Sequence, residues 1–237
     1  MTEAAGRTDA VSPVRIALHT WTIEPSDTQL ECHLATLSPD EHARATAFVY
    51  AEDRRAFIAA RGGLRALLAQ TTGREAAGLA FDYGDSGRPT LRRDDNRAVP
   101  FFNLSHSGSL AIAAISWQCQ PGIDIERVRP IEPEVAIHHF STAELSVLSA
   151  LEGDEWLAGF YRCWTRKEAY VKALGVGVGI DLTAFDVSLA VDEPAAILRI
   201  GSATSAHRAW QMLDLALPPG YIGAVTAKTD GRPLRLE

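Results

Sequence analysis

Lysine is nearly absent from this chain. Of its 23 basic residues only Lys167, Lys172 and Lys228 are lysines; the other twenty are arginines. GC-rich coding favours arginine, but a chain that avoids ammonium groups and still sets two of them in one short stretch hints that they matter there. Cysteine is scarce too. Cys32, Cys119 and Cys163 are odd in number and widely spaced, which argues against a disulfide framework or a zinc pattern and suggests a reducing cytoplasm. Long hydrophobic runs are missing. The longest, Leu110 to Ile115, is too short to cross a bilayer, so no membrane partner is expected. The opening MTEAAGRTDAVSP has no cationic segment leading into an apolar one, so residues 1–13 read as a loose tail rather than a signal. Positive charge is not in surplus: the net charge of −7 argues against nucleic acid as a partner.

What is present is ordinary for a globular protein: 46% apolar and 22% charged residues in 237, enough for one large domain or two small lobes. The strongest helical signal is FYRCWTRKEAYVKAL, residues 160–174. Leu157, Phe160, Tyr161, Trp164 and Val171 all fall within roughly 60° of Trp164 at helical spacing. Glu168 falls in the same stripe, with Lys172 one turn on. Two interpretations compete: an intrahelical Glu168–Lys172 pair above a core stripe, or a carboxylate facing a buried site where it holds a metal or takes a proton.

Along the chain, Val14 to Ile23 reads as a strand and Glu24 to Glu31 as a connection. Ser38-Pro39-Asp40-Glu41 starts a helix, with Ser38 as cap and Glu41 completing a capping box. The helical run that follows, to about Gln70, is expected to break near Tyr50 to Asp53. Phe81 to Leu91 reads as a strand entering a loop, and Asp94 to Arg97 as a polar turn. Residues 101–117 read as two short strands joined by a turn at Ser105 to Ser109. That places His106 in a turn of small residues, where amides and an imidazole could meet an anion. In GIDIERVRP, residues 122–130, Asp124 and Glu126 share one face of a strand while Ile123 and Ile125 face the core. Paired carboxylates repel unless a cation bridges them, although a solvent-facing edge strand accounts for them equally well. Ser141 to Glu144 offers a second capping box. Glycines 175–179 end the long helix, and Phe185 to Ala227 reads as antiparallel strands.

Three sets carry a resemblance: NLSHSG (103–108), GIDIE (122–126) and WTRKEAYVK (164–172). Their order and spacing resemble the 4′-phosphopantetheinyl transferase superfamily, in the longer two-lobed type that serves polyketide and nonribosomal peptide synthases. The resemblance runs from about Leu37 to Leu189. It implies an α+β fold of two similar lobes related by a pseudo-twofold, each a small antiparallel sheet on helices, divided here as 14–119 and 120–237. It implies Mg²⁺-dependent transfer of the phosphopantetheine arm of coenzyme A to a serine of an acyl or peptidyl carrier protein, releasing adenosine 3′,5′-bisphosphate. Asp124, Glu126 and Glu168 would hold Mg²⁺. Glu168 would act as base, Lys172 would assist the leaving group and His106 would contact a phosphate. Arg44, Arg55 (or Arg54) and Arg88, with Ser105, His106 and Lys172, would bind coenzyme A. Arg61 and Arg65 could support a lobe interface instead, and Lys167 is either a phosphate contact or a surface residue. A monomer is expected. A carrier- or coenzyme A-binding protein without catalysis, and a Mg²⁺-dependent phosphohydrolase, are the alternatives.

Overall fold

A computed structural model describes residues 12–84, 87–93, 97–202 and 205–237. Most of the expected tail, the tips of the Gly84–Gly87 turn and the Asp94–Asp95 turn therefore lie outside the described residues. The chain runs β1 (Val14–Thr22), α1 (Asp27–Thr36), α2 (Pro39–Thr46), α3 (Ala51–Thr72), β2 (Phe81–Tyr83), β3 (Pro89–Leu91), β4 (Phe101–Ser107), β5 (Leu110–Ser116) and β6 (Pro121–Arg127). It continues α4 (Pro133–His139), α5 (Thr142–Leu148), α6 (Gly153–Leu174), β7 (Phe185–Val187), β8 (Ile197–Ile200), β9 (Trp210–Asp214), β10 (Tyr221–Lys228) and β11 (Leu234–Leu236). This is the mixed α+β architecture expected, with small, mainly antiparallel sheets packed on helices.

The first sheet has the order β11-β1-β5-β4, and the second β6-β10-β9. β5 is buried along nearly its whole length because its two faces meet different partners. Ala113 and Ile115 pack with Leu64 and Leu68 of α3. Ile112 and Ala114 pack with Ile123, Ile125 and Val225 of the second sheet. α6 lies directly on β6: a Cβ on Gly122 would come within 2.0 Å of the Ala169 carbonyl oxygen. Only glycine allows that approach.

The edges of the two sheets, β4 and β6, are joined by side chains. Asn103 Oδ1 accepts from Ile123 N (3.0 Å), Ser105 Oγ from Ile125 N (3.3 Å) and Ser107 Oγ from Arg127 N (3.1 Å). Strand alternation aims these three residues the same way, at every second amide of β6. The edge amides are thus satisfied without a continuous backbone ladder.

Each long helix also ties down its own half through a buried cation. In the first half, the capping-box carboxylate Glu41 accepts from Ser38 N (2.9 Å) and from Arg65 Nε (2.6 Å). Arg65 also donates to Ala76 O and Leu79 O and lies over the Phe81 ring. In the second half, Glu144 accepts from Ser141 N (2.9 Å) and pairs with Lys167 Nζ (2.8 Å). Lys167 also donates to Leu182 O and Phe185 O and lies over the Phe185 ring.

Several expectations are corrected. Residues 27–36 form a helix rather than a connection, started by a Ser26–Gln29 capping box. Leu91 ends a second short strand that pairs with β2. The β4–β5 turn is Gly108-Ser109 alone, so His106 sits on β4 opposite Ala111. Lys167 is neither a surface residue nor a phosphate contact; its side chain is fully buried against Glu144. Arg65 braces α2 and the segment before β2, not an interface between lobes. Residues 234–236, silent in the sequence, pair parallel with β1.

Candidate functional site

Where β4, β6 and α6 meet, Ser105, His106, Asp124, Glu126, Trp164, Glu168 and Lys172 line one recess. β6 supplies the two acids at alternate positions and α6 supplies Glu168 and Lys172 one turn apart. Gly122 is what brings that turn of α6 down onto the strand.

Lys172 does not pair with Glu168. Its ammonium reaches Asp124 Oδ1 at 2.5 Å and Ser105 Oγ at 3.1 Å. The competing view of an intrahelical Glu168–Lys172 pair therefore fails, because Asp124 is buried and the nearest cation turns to it. Loss of water pushes the Asp124 carboxyl above its usual range, against the opposing pull of Lys172. Burial likewise raises Glu126, with Asp124 adding to it. Burial raises Glu168 as well, and the charge of Asp124 adds to that. The recess thus holds three acids that discourage each other's ionisation and one ammonium to offset them.

A divalent cation would relieve that repulsion, and one observation fits it. Asp124 Oδ2 is buried with no hydrogen-bond partner. The donors are all oxygens, which suits a hard cation such as Mg²⁺. The geometry is not drawn tight, however: among the described residues no three His, Cys, Asp or Glu side chains are grouped as an ion would need. The expected ligands Asp124, Glu126 and Glu168 share a recess without converging, and Lys172 stands at Asp124 instead.

The recess opens on two others. One is cationic and lined by Arg44, Arg61, Tyr83, Arg88 and His106. His106 faces it from β4, away from the flanking serines; lost hydration, then Lys172, hold its imidazole below the usual value. The other, of about 640 Å³, is lined by Trp164, Val171, Ile180, Leu182 and His139, with Glu168 and Lys172 at its edge. Arg88 lies between the two and reaches toward Ala173 O at the end of α6.

One expected contact is not brought into this group. Arg55 is turned to α1, where it pairs with Asp27 (2.9 Å) and reaches Pro25 O. Ser105 lines the recess, but its hydroxyl is fully used: it donates to Asp124 Oδ1 (2.9 Å) and accepts from Ile125 N and Lys172 Nζ. Arg61, which the sequence left open between a phosphate contact and a lobe interface, lies in the cationic recess, paired with Glu41 (2.5 Å) and donating to Tyr83 OH. Its distance of one helical turn from Arg65 was the available signal, since both then face Glu41.

Comparison with known proteins places this geometry. Residues 120–226 match a family model described as the 4′-phosphopantetheinyl transferase superfamily. Residues 19–118 match one described as 4′-phosphopantetheinyl transferase, N-terminal. The 4′-phosphopantetheinyl transferase HetI of Nostoc sp. is 36% identical over 212 residues, 88% of this chain and 86% of its own. The 4′-phosphopantetheinyl transferase Sfp of Bacillus subtilis is 29% identical, over 85% of this chain and 87% of its own. The human L-aminoadipate-semialdehyde dehydrogenase-phosphopantetheinyl transferase is 32% identical over 74% of this chain and 60% of its own. The chain belongs to the 4′-phosphopantetheinyl transferase superfamily.

Proposed function

We propose that this enzyme transfers the phosphopantetheine arm of coenzyme A to a serine hydroxyl of an acyl or peptidyl carrier protein, in a Mg²⁺-dependent reaction that releases adenosine 3′,5′-bisphosphate. The observation that carries the reading is the junction of an acidic recess with a cationic one. Arg44, Arg61, Arg88 and His106 offer donors for the nucleotide phosphates. Asp124, Glu126 and Glu168 would hold the Mg²⁺, which when bound would neutralise pyrophosphate charge. Glu168 is the candidate base for the incoming serine, a poor nucleophile until it loses its proton. Lys172, which lines the same recess, would meet the departing bisphosphate once substrate enters. The two lobes would be 14–119 and 120–237, the protein a cytoplasmic monomer, and the carriers those of polyketide or nonribosomal peptide assembly. The described helices include none long and apolar enough to cross a membrane.

The test is intact mass spectrometry of apo carrier domains after incubation with the protein, coenzyme A and Mg²⁺. One phosphopantetheine is expected per carrier, lost on chelation and in Glu168→Gln. Coenzyme A breakdown with no carrier present would instead make the protein a phosphohydrolase, and coenzyme A binding without any transfer would make it a binding protein.

A further inference from the structure

Two hydroxyls beneath the acids have a role that coenzyme A contact does not describe. On β4, Ser105 and Ser107 each accept a hydrogen bond from the amide that follows an acid on β6, Ile125 N or Arg127 N. With that lone pair committed, each hydroxyl turns its proton to the acid itself. Ser105 Oγ donates to Asp124 Oδ1 (2.9 Å) and Ser107 Oγ to Glu126 Oε2 (2.7 Å). The same two-bond unit thus occurs twice, two residues apart on both strands. In each case one carboxylate oxygen is held, and at Asp124 the other, Oδ2, is buried with no partner. The amide fixes the hydroxyl and the hydroxyl fixes the carboxylate, so the orientation of both acids is inherited from the fit of the two sheet edges.

We propose that Ser105 and Ser107 are positioning residues for a divalent cation: each pins one oxygen of Asp124 or Glu126 and leaves the second to the ion. The inference rests on the reading that these acids hold Mg²⁺. Groups bonded to metal ligands typically change metal affinity about 10- to 100-fold when removed. Ser107 is the better site to test, because the hydroxyl of Ser105 also meets Lys172.

The experiment is Mn²⁺ titration of the full chain, followed by the electron paramagnetic resonance of free Mn²⁺, with neither coenzyme A nor carrier present. Ser107→Ala is expected to weaken binding about tenfold, and Ser107→Thr to restore it because the hydroxyl returns. Ser107→Val against Ser107→Thr repeats the comparison at equal shape if alanine fails to fold. In the transfer assay, Ser107→Ala should raise the Mg²⁺ concentration for half-maximal rate and leave kcat at saturating Mg²⁺ close to the parent. Asp124→Asn separates the two levels of argument. If it loses Mn²⁺ while Ser107→Ala and Ser107→Val bind as the parent does, the positioning role is overturned and the metal reading stands. If Asp124→Asn and Glu126→Gln bind Mn²⁺ as tightly as the parent, the metal reading fails and the proposal with it.

Discussion

The two halves of the molecule solve one local problem in the same way and then diverge. In each, a capping-box glutamate (Glu41 or Glu144) meets a buried cation of the long helix (Arg65 or Lys167). In each, that cation also serves two carbonyls of the segment after its helix and lies over the next aromatic, Phe81 or Phe185. One turn earlier the halves differ. The first carries Arg61, which shares Glu41 and lines the cationic recess. The second carries the buried Cys163, and there the remaining oxygen of Glu144 accepts from Val187 N. One carboxylate against two guanidiniums leaves surplus positive charge facing the recess, whereas one against one ammonium leaves none. The surplus is a departure from a shared scaffold, placed where an anionic ligand is proposed to bind.

Breaking the balanced pair should do the most damage. Lys167→Met leaves Glu144 buried with no cation and should cost about 3–5 kcal/mol in urea unfolding. Adding Glu144→Gln to it should return a large part of that loss, since the uncompensated charge is gone. Gly122→Ala tests what lets α6 approach β6. Its methyl would meet Ala169 O and Ala173, so a loss of about 2–4 kcal/mol is expected, with transfer activity falling at temperatures where the variant is still folded. Arg61→Leu sharpens the comparison. Glu41 keeps Arg65, so the stability cost should be only about 1–2 kcal/mol, while KM for coenzyme A rises several-fold from loss of the surplus charge.

The smallest effect belongs to a pair at the margin of the second half. The hydrogen bonds from Arg199 hold Asp186 below its ordinary 3.8. A lowered carboxyl stabilises the fold above its unfolded pKa and loses that contribution as pH falls through the folded value. Arg199→Ala should therefore lower stability only slightly at neutral pH, and parent and variant should converge in stability well below pH 3.8.

Legibility in the sequence followed the range of the interaction. Two of the three capping boxes could be read, Ser38–Glu41 and Ser141–Glu144, because each joins residues three apart within one turn; the third, Ser26–Gln29, was passed over with its helix. So could the acids, whose alternation on β6 and place on α6 are local facts. The partners of buried charges could not be read. Glu144 finds Lys167 across 23 positions and Glu41 finds Arg65 across 24, and no local pattern announces either choice. Helix α1 was missed because none of its residues is buried, which leaves no apolar stripe to detect. His106 was placed in a turn because serine and glycine suggest one, whereas the serines are strand residues whose hydroxyls face another strand.

That last arrangement turns three amides into internal gauges. Ile123 N, Ile125 N and Arg127 N are shielded by side chains of β4, while β6 is paired on its other side with β10. Any parting of the sheet edges would speed hydrogen–deuterium exchange at residues 123, 125 and 127 and leave the amides of Asp124 and Glu126 slow. The odd-to-even contrast along one short strand would then read out the breathing of the cleft, with no label attached to the protein.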